Sequence, residues 1–566
     1  MVLPQLSYWD SIGAIVAAAL VVHLIFKRTE THEPAYVLLL LLVVPSALTL
    51  LFLQHTSSIF YAAFTVFGVY WTSVSSSILL YRVSPWHPLA KYPGPLLCKL
   101  SKFYLAFKVA RGGKQHIYYK SLHEKYGDIV RVGPNELIIC DVNAVNPILG
   151  PTGLPKGPFW EGRVPEQEAV KPLIAIRDKQ EHNRRRRPWT RAFSTPALKG
   201  YEIMVSKRSF QLMDALGAQK GIVNLTQWVS FFAYDIMNDL AFGGGSEMIK
   251  EGDADGLWHL LEAGQRNALF MSHVPWLGAL FLRFPSFAHD LKAFRTHAKK
   301  RAMVRKNQGS PHKDIFHHLM DEDGVASQPP SVIEVISDGG LAIIAGSDTT
   351  STAIINLFYF LMCHPTSYKR LQAEIDELSD NDIMDFAKLA HLPYLNGCLN
   401  ESLRLLPPVL SGSQRAPERG SGGKMIGPYF IPEGSAVVIP SYSLQRDPRC
   451  FSPLPGGFLP ERWLPEDKRS ALEPKVFDGQ EFVLNLTAFA PFSLGVANCA
   501  GKNLAWMEMR MVVSLMVQNF EMKFAKGYNP QQWYNDLTDY FVTMKGELPT
   551  ILTPRKPSNQ SVNLAV

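Results

Sequence analysis

The sequence predicts a mainly α protein with a small β region, preceded by apolar N-terminal helices, and three observations carry that expectation. Residues 11–26, 35–53 and 56–81 contain no Asp, Glu, Lys or Arg, the composition of helices that cross a bilayer. Ser331-Val332-Ile333-Glu334 is a capping box, and an almost unbroken helical pattern runs from it to Cys363 before His364-Pro365 stops it. Strand-like runs are short and punctuated by turn residues, as at 129–132 and 136–140 around Gly133-Pro134-Asn135.

Composition narrows the class further. The 566 residues are 47% apolar and 19% charged, which excludes a disordered chain. A net charge of +7 is mild for this length and does not point to nucleic acid. Six cysteines are scattered without CxxC or paired spacing, so neither a disulfide framework nor a zinc site is indicated.

Taken in order, residues 1–83 read as a membrane region. The second and third charge-free stretches reach the roughly 20 residues a span needs, and the first is shorter. Only Asp10 is charged before Lys27, so there is no basic n-region of a cleaved signal peptide. Lys27-Arg28 after the first stretch, and Arg82 and Lys91 after the third, place both loops on the cytoplasmic side if there are three spans and a lumenal N-terminus. A single anchor formed by the third stretch is the alternative. Residues 84–96 are a proline-rich hinge, expected to be stiff and extended. A single domain then fills 97–555, and 556–566 is a polar tail.

Within the domain, a helix is expected over 116–126, ahead of the small sheet. Residues 150–175 read as a Pro- and Gly-rich loop. His182 to Phe193 carries the densest positive charge, Arg184-Arg185-Arg186-Arg187 included, and His182 and Arg186 share a helix face at i, i+4. The run is too short for a nucleic-acid platform. Residues 197–330 are helix-rich, and Phe270, Trp276, Phe281 and Phe284 read as core or as channel wall. Inside the long helix stands Ala345-Gly346-Ser347-Asp348-Thr349-Thr350, polar groups that are costly in a buried helix unless they kink it or serve chemistry. Strands are expected at 430–434 and 436–440, and a hairpin around Lys545-Gly546. Four Asn-x-Ser/Thr sites (Asn224, Asn400, Asn485, Asn559) are discounted, because the domain is expected to face the cytoplasm.

Cys499 is the one cysteine with a motif around it, Pro491-Phe492-Ser493-Leu494-Gly495-Val496-Ala497-Asn498-Cys499-Ala500-Gly501, ahead of a helix-like segment. A helix N-terminus lowers a thiol's pKa and favours the thiolate, a nucleophile or metal ligand. Through Phe492, Gly495, Cys499 and Gly501 the loop resembles the haem-ligand loop of the cytochrome P450 family, with Ala497 where that family usually carries a basic residue. The resemblance extends to Ala345-Gly346-x-Asp348-Thr349, to Glu401-x-x-Arg404, and to Phe458-Leu459-Pro460-Glu461-Arg462-Trp463, in family order, and covers roughly residues 85–555.

The resemblance implies the cytochrome P450 fold and haem b as cofactor. Cys499 would be the axial ligand of the iron, which favours O–O cleavage. His182, Arg186 and Arg415 would hold the propionates, compensating for Ala497, while the other arginines of the run point outward to an acidic redox partner. Ala345 and Gly346 would make room for oxygen, Asp348 and Thr349 would relay protons, and Glu401, Arg404 and Arg462 would form a buried structural triad. The implied activity is insertion of one oxygen atom of O2 into a lipophilic substrate, such as a terpenoid or polyketide intermediate, with Ile343, Ile344, Val409 and Leu410 as wall residues. Electrons would come from NADPH through NADPH-cytochrome P450 reductase, with cytochrome b5 as an optional second donor, at the endoplasmic reticulum membrane. An isomerase or dehydratase of the same fold, or a non-catalytic haem-binding membrane protein, is the alternative; the intact Asp348-Thr349 pair argues against both.

Overall fold

The computed structural model describes residues 6–29, 34–164, 170–254, 256–281, 284–310 and 312–555. The polar tail and part of the 150–175 loop fall outside them.

Three apolar helices lead the chain: α1 (Tyr8–Arg28), α2 (Pro34–His55, with a π turn over Leu39–Val43) and α3 (Ile59–Val83). Each is long and apolar enough to cross a membrane. The first outgrows its charge-free stretch because Ser7 caps it and Lys27 and Arg28 complete its last turn. The three pack on one another around Ala19, Ala62, Val66 and Tyr70, all fully buried, the two alanines letting the backbones approach. Pro45 brings no N–H to the turn before it. The carbonyls of that turn take donors from α3 instead: Tyr70 Oη donates to Leu40 O at 2.7 Å and Trp71 Nε1 to Leu41 O at 3.0 Å.

The 84–96 segment is not an extended spacer. It is a string of turns, with His87 N–H donating to Ser84 O, Ala90 N–H to His87 O and Tyr92 N–H to Leu89 O. Prolines forbid helix but suit turns, and the buried Leu89 and Tyr92 draw the segment onto the domain. Tyr92 Oη donates to Phe430 O at 3.1 Å, and Arg131 N–H donates to Pro93 O at 2.7 Å. Gly94, at φ +156, lies so close to Arg131 O that a Cβ would stand 2.2 Å from it.

Helices α4 (Lys102–Gly112) and α5 (Gln115–Tyr126) precede the antiparallel pair β1 (Ile129–Gly133) and β2 (Glu136–Ile139). Strand β3 (Ala436–Val438) joins parallel to β2, so the expected small sheet is completed from 300 residues downstream (residues 136 and 436 pair directly). Single-residue bridges extend it from Val437 to Arg415 and from Arg415 to Lys156.

The helical body follows as α6 (Lys179–Ala192), α7 (Thr195–Gly217), α8 (Leu225–Phe242), α9 (Leu257–His273), α10 (Pro285–Gln308), α11 (Val332–Cys363), α12 (Pro393–Leu405) and α13 (Lys502–Asn519). Helix α11 is apolar enough to span a membrane, but 72% of its apolar window is buried in the domain, which makes it the central core helix. Its Ser331–Glu334 capping box is formed. The helix stays α-helical throughout, without a break at the polar cluster. There Ser347, Thr349 and Thr352 hydroxyls donate back to the carbonyls of Ile343, Ala345 and Asp348 at 2.7, 2.6 and 2.6 Å.

The expected hairpin lies earlier than Lys545-Gly546. It is β4 (Thr538–Tyr540) and β5 (Val542–Met544), turning at Phe541 with φ +88. No glycine marks this turn; the Phe541 ring is held instead against Trp160 and Phe159, 4.8 and 5.8 Å between centroids.

Candidate functional site

A cavity of about 880 Å³ lies between α11, the 491–501 loop, α6 and the β3 region. The loop that presents Cys499 is shaped by backbone that disfavours side chains. Gly495 has φ +66, and a Cβ on it would stand 2.2 Å from Gly150 O. Ser493, also left-handed at φ +57, turns the chain before it, and Cys499 N–H closes the loop on Phe492 O at 2.8 Å. Cys499 is deeply enclosed yet keeps accessible surface, because it lines the cavity.

The electrostatics differ from the helix-terminus expectation. Burial pushes the Cys499 thiol up, outweighing the Gly501 N–H, Arg186 and Lys502, which favour the thiolate. Desolvation of a sulfur anion in this enclosure costs more than one helix end and two nearby cations return.

Most of the sequence-predicted residues meet here. Phe492, Gly501, His182, Arg186, Arg415, Ala345, Gly346 and Thr349 all line the cavity with Cys499. Gly346 has a second neighbour: a Cβ there would stand 2.4 Å from Met237 Sδ, so its missing side chain also lets α8 pack close to α11. Thr349 faces the cavity, whereas Asp348 sits behind it, fully enclosed, its carboxyl raised by burial and lowered in part by Lys545. Of the wall residues, Ile344 and Val409 line the cavity, and Ile343 and Leu410 are packed in the core. Phe270, Trp276, Phe281 and Phe284 are not on it; Trp276 packs edge-on against Phe103, and Phe284 is half exposed.

The arginine run divides three ways. Arg186 donates to Asn498 O and to Asn498 Oδ1, each at 2.8 Å. Arg185 is buried and pairs with Asp338 at 2.7 Å, and Arg184 pairs with Glu181 and Glu334. The expectation that the remaining arginines point outward therefore fails for Arg184 and Arg185, which bind α6 to the start of α11; Arg187 is exposed.

Glu401, Arg404 and Arg462 form the expected triad at full burial. Arg404 meets Glu401 with two hydrogen bonds of 2.8 Å, and Arg462 Nε lies 3.4 Å from the same carboxylate. Trp463 Nε1 donates to it at 3.0 Å, and the Trp463 ring packs on Phe489, 4.7 Å between centroids, just ahead of the cysteine loop. Burial opposes the charged carboxyl, but the two guanidiniums prevail and hold it below the usual range.

Among the lining residues that escaped the sequence reading are Lys156 and Glu508. Lys156, from the 150–175 loop, is set beside Arg415 by the strand bridge and donates to Leu173 O at 2.8 Å; burial pushes it down to about 7. Its cue was only a lone lysine among Pro and Gly. Glu508 of α13 is fully enclosed, and neither of its oxygens has a well-formed partner. Burial pushes it up to about 8, outweighing the nearby Thr350 hydroxyl, which favours the charged form. A glutamate between Met507 and Met509 in an apolar helix was its cue.

Lys156, His182, Arg186 and Arg415 thus converge on one wall, among the described residues no carboxylate pairs with any of them, and Arg415 Nε is buried without an acceptor there.

The family model described as Cytochrome P450 matches residues 93–548. The chain is 33% identical over 486 residues to Cytochrome P450 monooxygenase FCK2 of Fusarium pseudograminearum (85% of the chain, 84% of the relative). It is 34% identical over 490 residues to Cytochrome P450 67 of Uromyces fabae (84% and 88%). To Tryprostatin B 6-hydroxylase of Aspergillus fumigatus it is 32% identical over 498 residues (86% and 84%).

Proposed function

Because this chain belongs to the cytochrome P450 family, whose relatives here are monooxygenases, we propose that it inserts one oxygen atom of O2 into a lipophilic fungal secondary metabolite, by hydroxylation or epoxidation. The observation that carries this is the cavity lined jointly by Cys499, Thr349 and four basic side chains, Lys156, His182, Arg186 and Arg415, that no carboxylate among the described residues pairs. That donor set fits haem b: a cofactor with two carboxylates satisfies the orphaned Arg415 Nε and gives Lys156, His182 and Arg186 an anion, and Cys499 offers the iron a thiolate. When bound, the haem supplies activation of dioxygen.

The chain's own residues do the rest. Phe492, Gly495 and Gly501 shape the loop that presents Cys499, and Arg186 holds that loop through Asn498. Ala345 and Gly346 keep the α11 wall low where oxygen must fit. Thr349 presents a hydroxyl to the cavity and can pass a proton at Oγ1, while Asp348 behind it is the buried carboxyl that resupplies it. Trp160, Ile336, Leu341, Ile344 and Val409 give the substrate an apolar wall and exclude water.

The same reading assigns NADPH-cytochrome P450 reductase as electron donor, with cytochrome b5 able to assist, and anchorage by α1–α3 in the endoplasmic reticulum membrane with the catalytic domain on the cytoplasmic side. The test is the CO difference spectrum of the reduced, purified protein, followed by NADPH consumption with a reductase. A thiolate-type red-shifted Soret band lost in Cys499→Ala is expected; its absence from the wild type would overturn the reading.

A further inference from the structure

Arg163 is an enclosed, half-buried cation that no carboxylate among the described residues answers. It follows a turn of 3-10 helix (Pro158–Gly162) and lines the cavity on a wall made by α9 and the β4–β5 hairpin. Its Nε donates to Ser272 Oγ at 2.9 Å, Nη1 to Gln265 Oε1 at 3.2 Å and Nη2 to Tyr540 O at 2.5 Å. All three acceptors are neutral, and two of its five N–H groups remain. The rings of Phe159, Trp160 and Phe541 surround the guanidinium at 5.5 to 5.6 Å, holding it in place through their faces.

No carboxylate pairs with Arg163 among the described residues. The acidic group whose field reaches it, Asp539, is engaged by the Ser411 hydroxyl and the Phe541 N–H. Glu508 is the one acid among the described lining residues, and it belongs to α13, whereas Arg295 and Lys299 of α10 add further positive charge to the lining. Burial pushes Arg163 down to about 9, so it remains charged at neutral pH. Lys156, His182, Arg186 and Arg415 are on α6 and the sheet extension, and none of Arg163's contacts reaches them. A cofactor held by those four would leave Arg163 unanswered.

We propose that Arg163 is the anchor for a carboxylate on the substrate, so that the substrate is a lipophilic acid whose apolar body lies along Ile336, Leu341 and Ile344 while its charged end is taken by Arg163 and Gln265. This rests on the monooxygenase reading of the same cavity and adds the substrate's charge to it. A cation that lines a ligand space with N–H groups to spare gains most from a charge-assisted, two-pronged acceptor, and a carboxylate is that acceptor.

The experiment is isothermal titration calorimetry of the detergent-solubilised holoenzyme with two matched pairs, dodecanoic acid against dodecanamide and 2-naphthylacetic acid against 2-naphthylacetamide. The acid of at least one pair is expected to bind about tenfold tighter than its amide. Arg163→Met brings the two within about twofold, and Arg163→Lys keeps part of the preference. If neither acid outbinds its amide in the wild type, absence of binding included, or if Arg163→Met leaves the preference intact, the proposal is overturned. The CO spectrum, recorded on the same preparations, reports separately on the monooxygenase reading: a lost Soret band with an intact acid preference refutes that reading and not the anion site.

Discussion

Arg186 grips Asn498 twice, at 2.8 Å to its backbone carbonyl and 2.8 Å to its side-chain Oδ1. The residue immediately before Cys499 is thereby latched to α6, in a loop whose position 497 is alanine. One guanidinium is thus asked both to fix the loop and to face the cavity.

Arg186→Ala should release that latch. Hydrogen bonds from a charged donor contribute about 1.5–3 kcal/mol each, so the expected outcome is protein that folds but purifies with a lowered haem-to-protein ratio. Arg186→Lys, a point charge that cannot fork, should fall between. Absorbance at the Soret band against total protein measures both.

The triad makes a sharper prediction. Glu401→Ala leaves Arg404 and Arg462, both at 0% exposure, facing each other without the carboxylate. Breaking a buried pair by removing one partner costs about 3–5 kcal/mol. Because Trp463 links the triad to Phe489, the damage should reach the cysteine loop. Expression should collapse or yield protein without a thiolate CO band; a normal band and melting temperature would remove the triad from its structural role.

These sites were legible in the sequence because each is specified by spacing along one segment: Gly495 and Cys499 in one loop, Asp348 and Thr349 on one helix, Glu401 and Arg404 at i, i+3. Lys156, Arg163 and Glu508 were not, because what makes them notable is the missing partner, and a partner's absence is decided by segments far away in the chain. The arginine run misled for the same reason. Four consecutive arginines look solvated in isolation, yet Asp338 and Glu334, some 150 residues later, claim two of them. The hairpin was misplaced because its turn lacks the usual glycine and is held by aromatic packing on Phe541 instead.

Since Thr349 faces the cavity and Asp348 does not, their substitutions should separate. Thr349→Ala should leave the CO band intact and divert reducing equivalents to hydrogen peroxide. Asp348→Asn should slow turnover with less diversion, by about 10²-fold, the usual scale of a positioned acid. Parallel assays of NADPH, peroxide and product distinguish the two; normal coupled turnover in both would remove the relay.

Glu508 carries a pH signature. Its folded-state pKa of about 8 stands above the ordinary 4.5, so below 4.5 both folded and unfolded chains hold the proton and nothing is lost. Between 4.5 and 8 only the unfolded chain ionises, and folding weakens by about 1.4 kcal/mol per pH unit. Glu508→Gln removes this term. From pH 5.5 to 7.5 the variant should therefore gain about 2–3 kcal/mol on the wild type, read as a widening difference in thermal unfolding of the solubilised proteins.

The last prediction concerns the membrane. A lone anchor formed by α3 and a bundle of three spans both leave the N-terminus in the lumen, so the discriminating position is the link after α1. The contacts from Tyr70 Oη and Trp71 Nε1 to the α2 carbonyls near Pro45 favour the bundle, since in a bilayer backbone groups beside a proline find no water and must be answered by protein. His23 Nδ1, 2.7 Å from Ser77 Oγ, ties α1 to α3 in the same way. In sealed, cytoplasmic-side-out microsomes, Thr29→Cys should react with a membrane-impermeant maleimide and Ser57→Cys should not, until detergent opens the vesicles. Protection at both positions would mean that α3 alone crosses. Tyr70→Phe should loosen the bundle by about 0.6–2 kcal/mol, visible as faster proteolysis at the α1–α2 link without loss of the CO band.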